Sequence, residues 1–231
     1  MARGPVVGTC LHEQLEYLAQ QGFAVNPAHL VSRCERTAYL DSAQDLCDWL
    51  VAIAQTPLPP LGTSLHTLSV HRPEMEFWMP LAALPVEQVD ALCCRYLLAG
   101  QARPVLPARQ LKGLMMGFAD LVFLHQGRYW VLDYKSNYLG ADAQAYHLAA
   151  LEQTILSHRY DVQAAIYQLA LHRLLRLRLG AAYRPSEHFG GALVYFVRGL
   201  DAPTKGVVPM MASPDMLAAF DQLFFGNEAV R

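Results

Sequence analysis

The chain has 231 residues, of which 53% are hydrophobic, 18 are Lys or Arg and 20 are Asp or Glu, for a formal net charge of −2. That length suits one generous domain, or a core with a helical subdomain, and can bury a substantial interior; no run of about 18 apolar residues is free of charge, so a membrane span is not expected, and the start, Met1 to Pro5, lacks the apolar stretch of a signal peptide. The charge balance is not the global footprint of a free-standing nucleic-acid binder, which leaves any polyanion contact to local basic clusters or to other subunits.

Thr9 to Gln21 is predicted to be a helix, with Leu11, Leu15 and Leu18 on one stripe and Thr9 as N-cap. Asp41 to Ala54 is a second, capped by Asp41 or Ser42. Thr56 to Thr63 carries Pro57, Pro59, Pro60 and Gly62 and reads as a connector. The boundary between a helical N-terminal part, residues 1–63, and the main sheet, residues 64–231, is placed there. Glu74 to Leu81 follows as a strand, Val86 to Leu98 as a helix and Arg103 to Pro107 as a loop. Gly113 to Leu124 and Tyr129 to Tyr134 are apolar runs separated by His125, Gln126, Gly127 and Arg128, the pattern of a hairpin. Its second strand is almost continuously apolar, as an interior strand is. Asp142 to Ser157 and Tyr160 to Leu179 are predicted helices, the latter burying Val162, Ile166, Leu169, Leu174 and Leu177. Gly190 to Val197 is a strand, and Pro214 to Phe225 a terminal helix with proline in its first turn. Strands and helices in this order imply an α/β sandwich. The five cysteines, Cys10, Cys34, Cys47, Cys93 and Cys94, form no CxxC pair and read as reduced thiols of a cytosolic protein.

Three residues in the hairpin are out of place on packing grounds. Asp120 lies among Phe118, Leu121, Val122 and Phe123, and Asp133 ends the second apolar run. Burying a lone carboxylate is unfavourable, and neighbouring antiparallel strands can bring two such groups together. Two anions there repel unless a cation lies between them, and a divalent ion with a preference for oxygen, such as Mg²⁺, resolves the conflict. Lys135, two residues after Asp133, faces the same side of its strand. Metal and ammonium together suit phosphodiester hydrolysis. The alternative is that Asp133 and Lys135 are ordinary strand-end residues and Asp120 pairs with an arginine. Gln163 and Tyr167 lie four residues apart on one helix face, either reaching the site or facing solvent. His12 lies near an apolar stripe, as either a ligand or a satisfied core histidine.

The stretch Gly117 to Phe123, followed by Tyr129 to Gly140 with its run Asp133, Tyr134, Lys135, Ser136 and Asn137, resembles the C-terminal nuclease domain of RecB, the helicase–nuclease subunit of bacterial RecBCD. The resemblance continues through His158 to Gln163, Tyr167 to Arg173 and His188 to Gly191. It takes in Gly8 to His12 and Glu74 to Phe77, and is least clear between Gln21 and Pro73. It implies the PD-(D/E)xK, restriction-endonuclease-like fold: a central mixed β-sheet flanked by helices. It implies one or two Mg²⁺ ions, replaceable in binding by Mn²⁺ or Ca²⁺, held by His12, Asp120, Asp133 and the backbone carbonyl of Tyr134. Lys135 would be the catalytic lysine, Glu74 the acid of the early strand, and Gln163 with Tyr167 the QxxxY motif. The implied activity is DNA cleavage in double-strand break repair and homologous recombination. The implied partners are DNA, chiefly single-stranded ends, RecC- and RecD-like subunits and the RecB helicase part, with RecA as a further one. The implied setting is cytoplasmic and away from membranes. The C-terminal cysteine cluster of Cas4-like and AddB-like relatives is lacking, and no GxxxxGK[ST] phosphate loop occurs. The chain is therefore expected to be an excised nuclease domain, or a protein retaining only that part.

Arg159, Arg173, Arg176, Arg178 and Arg184 surround the second long helix, where they either form a DNA-facing cluster or coat a solvated face. The competing functions are a non-catalytic module of the same fold that binds DNA or a partner, and an enzyme acting on another phosphate ester.

Overall fold

The computed structural model describes residues 4–24, 26–37, 42–59 and 61–226. One five-stranded sheet runs in the order β1 (His71–Pro85), β2 (Gln110–His125), β3 (Arg128–Lys135), β4 (Phe189–Phe196), β5 (Val207–Met210). All neighbours are antiparallel except β3 and β4, which are parallel. The sheet is therefore mixed, and helices cover both of its faces.

The β2–β3 hairpin closes on Gln126 and Gly127, both at positive φ (49° and 78°), the backbone whose twist matches the strands it joins. β3 and β4 lie inside the sheet, which explains their unbroken apolar runs: every residue of β4 is buried. Strand alternation divides β3 between two cores. Trp130, Leu132 and Tyr134 pack with α1 (Pro5–Gln20), α2 (Pro27–Glu35) and α3 (Ala43–Gln55). Val131 points the other way, into a core shared with α4 (Val86–Tyr96), α5 (Leu148–Ser157), α6 (Tyr160–Leu179) and α8 (Pro214–Phe225). A short α7 (Pro185–His188) leads into β4. By the same alternation Asp133 and Lys135 belong to the α6 side.

Several expected boundaries move for identifiable reasons. α1 starts at Pro5, with Gly4 as N-cap and Thr9 inside the helix. Ser42 caps α3 by accepting from the Asp45 N–H, whereas Asp41 lies outside the described residues, as does Pro60 of the connector. α2, not anticipated, carries its own signal: Asn26 accepts from the Ala28 N–H and Pro27 occupies the first turn. β1 and β2 are longer than expected because they pair with each other from Pro85 and Gln110 to His71 and Phe123, far beyond the stretch that β3 covers. Trp78, Leu114 and Met116 on that ribbon are exposed. The predicted helix from Asp142 is broken at His147, between a 3-10 turn (Ala143–Tyr146) and α5, whose first turn it caps through Nδ1.

The expected buried stripe of α6 is corrected most. Of its five residues only Leu169 is buried; Leu177 is 82% exposed. The buried set is Asp161, Ala164, Ala165, Tyr167, Gln168, Leu169, Ala170, Leu171, His172 and Leu175. α6 is packed from several sides at once, by β3, β4, α4, α5 and α8, so its buried residues do not form one stripe.

Candidate active site

The ladder between β2 and β3 ends at the pair Leu121 and Leu132. The next residues, Asp120 and Asp133, would be opposite each other, but the strands part there. Asp120 Oδ2 accepts the Tyr134 N–H at 2.7 Å, so a side chain occupies the place of a ladder carbonyl. His12, from α1, reaches the same oxygen with Nδ1 at 3.5 Å. Among the described residues no arginine pairs with Asp120. α1 approaches the end of β3 closely because residue 8 is glycine: a Cβ there would lie 2.9 Å from Ser136 Oγ.

Asp133 is 4% exposed and Lys135 8%. Lys135 Nζ forms an ion pair with Asp133 Oδ2 at 2.6 Å. The ammonium donates to Gln163 Oε1 at 2.8 Å and sits 4.2 Å from the centre of the Tyr160 ring. Gln163 Nε2 donates in turn to the Tyr167 hydroxyl at 2.7 Å. Tyr167 packs edge-on against Phe77 of β1. The polar pair on α6 therefore faces the site and fixes the lysine.

Electrostatics follow from this burial. Burial pushes the Asp133 carboxyl up to about 7, with Lys135 pulling it down and Asp120 raising it further. Burial likewise pushes Asp120 up to about 6, against the Tyr134 N–H and Lys135, which lower it. Burial lowers His12, which favours its neutral, lone-pair-bearing form, although Asp133 draws it upward. Glu74 lies on β1 between the paired residues Pro73 and Met75, level with Asp120, in a left-handed conformation (φ 46°). Its carboxyl is raised by burial and then by Glu16, and its charge acts on Asp120.

Contacts thus link His12, Asp120 and the Tyr134 backbone on one side, and Asp133, Lys135, Gln163 and Tyr167 on the other, at the end of the β2–β3 pairing, with Glu74 level with Asp120 on β1. Among the described residues no three His, Cys, Asp or Glu side chains are close enough to hold an ion by themselves. The donor set nevertheless fits a hard divalent cation: a buried and a half-buried carboxylate where the strands part, and an imidazole whose protonation burial disfavours. The Tyr134 side chain, by contrast, is buried in the α1 core away from the cleft.

Sequence reasoning missed one neighbour. A cavity of about 470 Å³ opens beside Lys135, lined also by Asn137, Tyr138, His158, Tyr160 and Arg198. The signal was available: Tyr160, Gln163 and Tyr167 recur at helical spacing on one face. A larger cavity, about 770 Å³, lies between α6 and α8 and contains neither Asp120 nor Asp133.

The arginines around α6, open to reading as a DNA-facing cluster or a solvated face, are mostly held by partners within the fold. Arg159 pairs with Asp90 at 2.6 Å and with Asp161 at 3.1 Å. Arg173 and Arg176 both pair with Asp221. Arg184 donates to the carbonyls of Ala181 and Tyr183. Four of the five guanidinium groups are tied into the fold.

Two carboxylates where β2 and β3 part, with a lysine two residues further on, are the arrangement expected of a PD-(D/E)xK nuclease fold. Residues 1–225 match the model of the PD-(D/E)XK nuclease superfamily, and the chain belongs to that superfamily. Within it, the chain is 38% identical over 230 residues to the RecBCD enzyme subunit RecB of Escherichia coli (strain K12), covering 97% of this chain and 19% of that protein. It is 32% identical over 235 residues to RecB of Haemophilus influenzae (97% and 19%). It is 32% identical over 192 residues to RecB of Mycobacterium tuberculosis (strain ATCC 25618 / H37Rv), covering 71% and 17%. The chain spans about a fifth of the length of the first two of these relatives.

Proposed function

We propose that the chain is a Mg²⁺-dependent deoxyribonuclease that hydrolyses phosphodiester bonds in single-stranded DNA, as the nuclease part of a RecBCD-like assembly. The observation that carries this reading is the group of half-buried Asp120 and buried Asp133 and Lys135 at the parting of β2 and β3. A structural ion pair alone needs no second carboxylate beside it, and two there are unfavourable without a cation.

Asp120, Asp133, His12 and the Tyr134 carbonyl are the residues that would hold the ion. When bound there, Mg²⁺ neutralises phosphate charge and makes water a stronger nucleophile. Lys135 Nζ, held by Gln163 and the Tyr160 ring, donates a hydrogen bond to a non-bridging phosphate oxygen as charge grows on it. Because its partners are fixed beforehand, little reorganisation accompanies the reaction. Gln163 and Tyr167 act through the lysine. Glu74 supplies further negative charge on the β1 side. RecC- and RecD-like subunits and a motor part would deliver the strand.

The test is cleavage of labelled single-stranded DNA with Mg²⁺, repeated with EDTA. Cutting that needs the metal supports the reading; none with metal, or cutting indifferent to chelation, defeats it. Lys135→Ala is expected to lower turnover about 100-fold or more while Mn²⁺ binding persists in calorimetry. Binding lost along with turnover would make Lys135 a positioning residue for the carboxylates instead.

A further inference from the structure

The cavity beside Lys135 has walls of three kinds. Lys135 and Arg198 provide cationic groups, and the Arg198 Nε donates to the Ser136 carbonyl at 2.9 Å, which holds its guanidinium at the wall. Asn137 provides an amide, its Oδ1 accepting from the Tyr160 hydroxyl at 3.3 Å. The third wall is aromatic. The His158 ring stacks on Tyr160 with centroids 5.2 Å apart and planes inclined by 21°, so ammonium, phenol and imidazole follow one another in a short column. His158 ends that column, is exposed, and is fixed in orientation by Nδ1 contacts to Thr154 O and Ser157 Oγ, both 3.1 Å.

A flat anchored ring, a guanidinium and an amide around about 470 Å³ match the parts of one nucleotide: base face, phosphate and base edge. We propose that this cavity is the subsite for the nucleotide adjoining the scissile phosphate, with its base stacked on His158 and its phosphate on Arg198. A base lying on that ring has left any duplex, so the subsite selects an unpaired strand. The inference rests on the nuclease reading for its location, since Lys135 forms the shared wall.

The experiment measures fluorescence anisotropy of a short labelled oligothymidylate, and of its abasic counterpart, with the chain in Ca²⁺. His158→Ala is expected to weaken oligothymidylate binding about tenfold, to leave abasic-strand binding unchanged, and to be rescued by His158→Phe. Equal weakening on both strands, no weakening, failure of the Phe variant to rescue, or no preference of the unaltered chain for the base-bearing strand each overturns the subsite. Base-dependent binding without Mg²⁺-dependent cleavage sinks the nuclease reading and spares the subsite. Cleavage with no dependence on His158 does the reverse.

Discussion

Asp133 carries the largest electrostatic conflict at the site. Its carboxyl is raised to about 7 by burial, while an unfolded chain would titrate it near the ordinary aspartate value of 3.8. The folded, metal-free protein therefore holds the proton more tightly than the unfolded one between those values, and this group removes stability as pH rises through that window. His172, lowered to about 4 by burial, acts in the opposite sense between that value and 6.5, so the total curve mixes the two. Comparison with Asp133→Asn isolates the carboxyl. In EDTA the variant is expected to melt at or above the unaltered chain at neutral pH, with the gap widening as pH rises from about 5 to about 8. It should also lose cleavage. A gap that is flat, or that narrows with pH, would contradict the assigned conflict.

At the scale of elements, a second buried cluster sets where α6 begins. Asp161 is fully buried and accepts from Arg103 Nη1 at 2.7 Å and Arg159 Nε at 3.1 Å. Arg103 also donates to the carbonyls of Leu97 and Leu98, the exit of α4. Arg159 itself adopts a left-handed conformation (φ 57°) as the N-cap of α6. Asp161→Ala leaves the buried Arg103 guanidinium without its carboxylate and Arg159 with Asp90 alone, and is expected to cost about 3–5 kcal/mol in urea unfolding. A loss below about 1 kcal/mol would show that the carbonyls suffice. The face of α6 that carries Tyr160, Gln163 and Tyr167 is aimed by this lock.

The same elements explain what was legible in advance. Asp120, Asp133 and Lys135 stood out because charge inside apolar strands contradicts packing, and the hairpin loop fixed which strands were neighbours. Helical spacing put Gln163 and Tyr167 on one face, but not which way that face points. The buried side of α6 was not legible, because a helix packed by a sheet and by α4, α5 and α8 has no single apolar stripe. The fate of the arginines was hidden for a related reason: their partners, Asp90, Asp161 and Asp221, are distant in sequence for all but one pairing. β5 is four residues long and paired only at the sheet edge, too short to leave a periodic signal.

For the molecule as a whole, α1 to α3 on one face and α4 to α8 on the other leave the cleft at the end of the β2–β3 pairing. No described helix is long and apolar enough to cross a membrane. The chain has a net charge of −2, and Arg159, Arg173 and Arg176 around α6 are paired with carboxylates. Its affinity for single-stranded DNA is expected to fall gently with salt, with a log–log slope shallower than about −2; a slope steeper than about −4 would reveal a basic track elsewhere.

The central physical claim is that Asp120 and Asp133 share a divalent cation. A crystal soaked in Mn²⁺ and measured at the manganese absorption edge tests it directly. An anomalous peak in contact with both carboxylates, absent from an identically soaked Asp133→Asn crystal, is the predicted result. A peak bound elsewhere, or no peak with the site open to solvent, would contradict it.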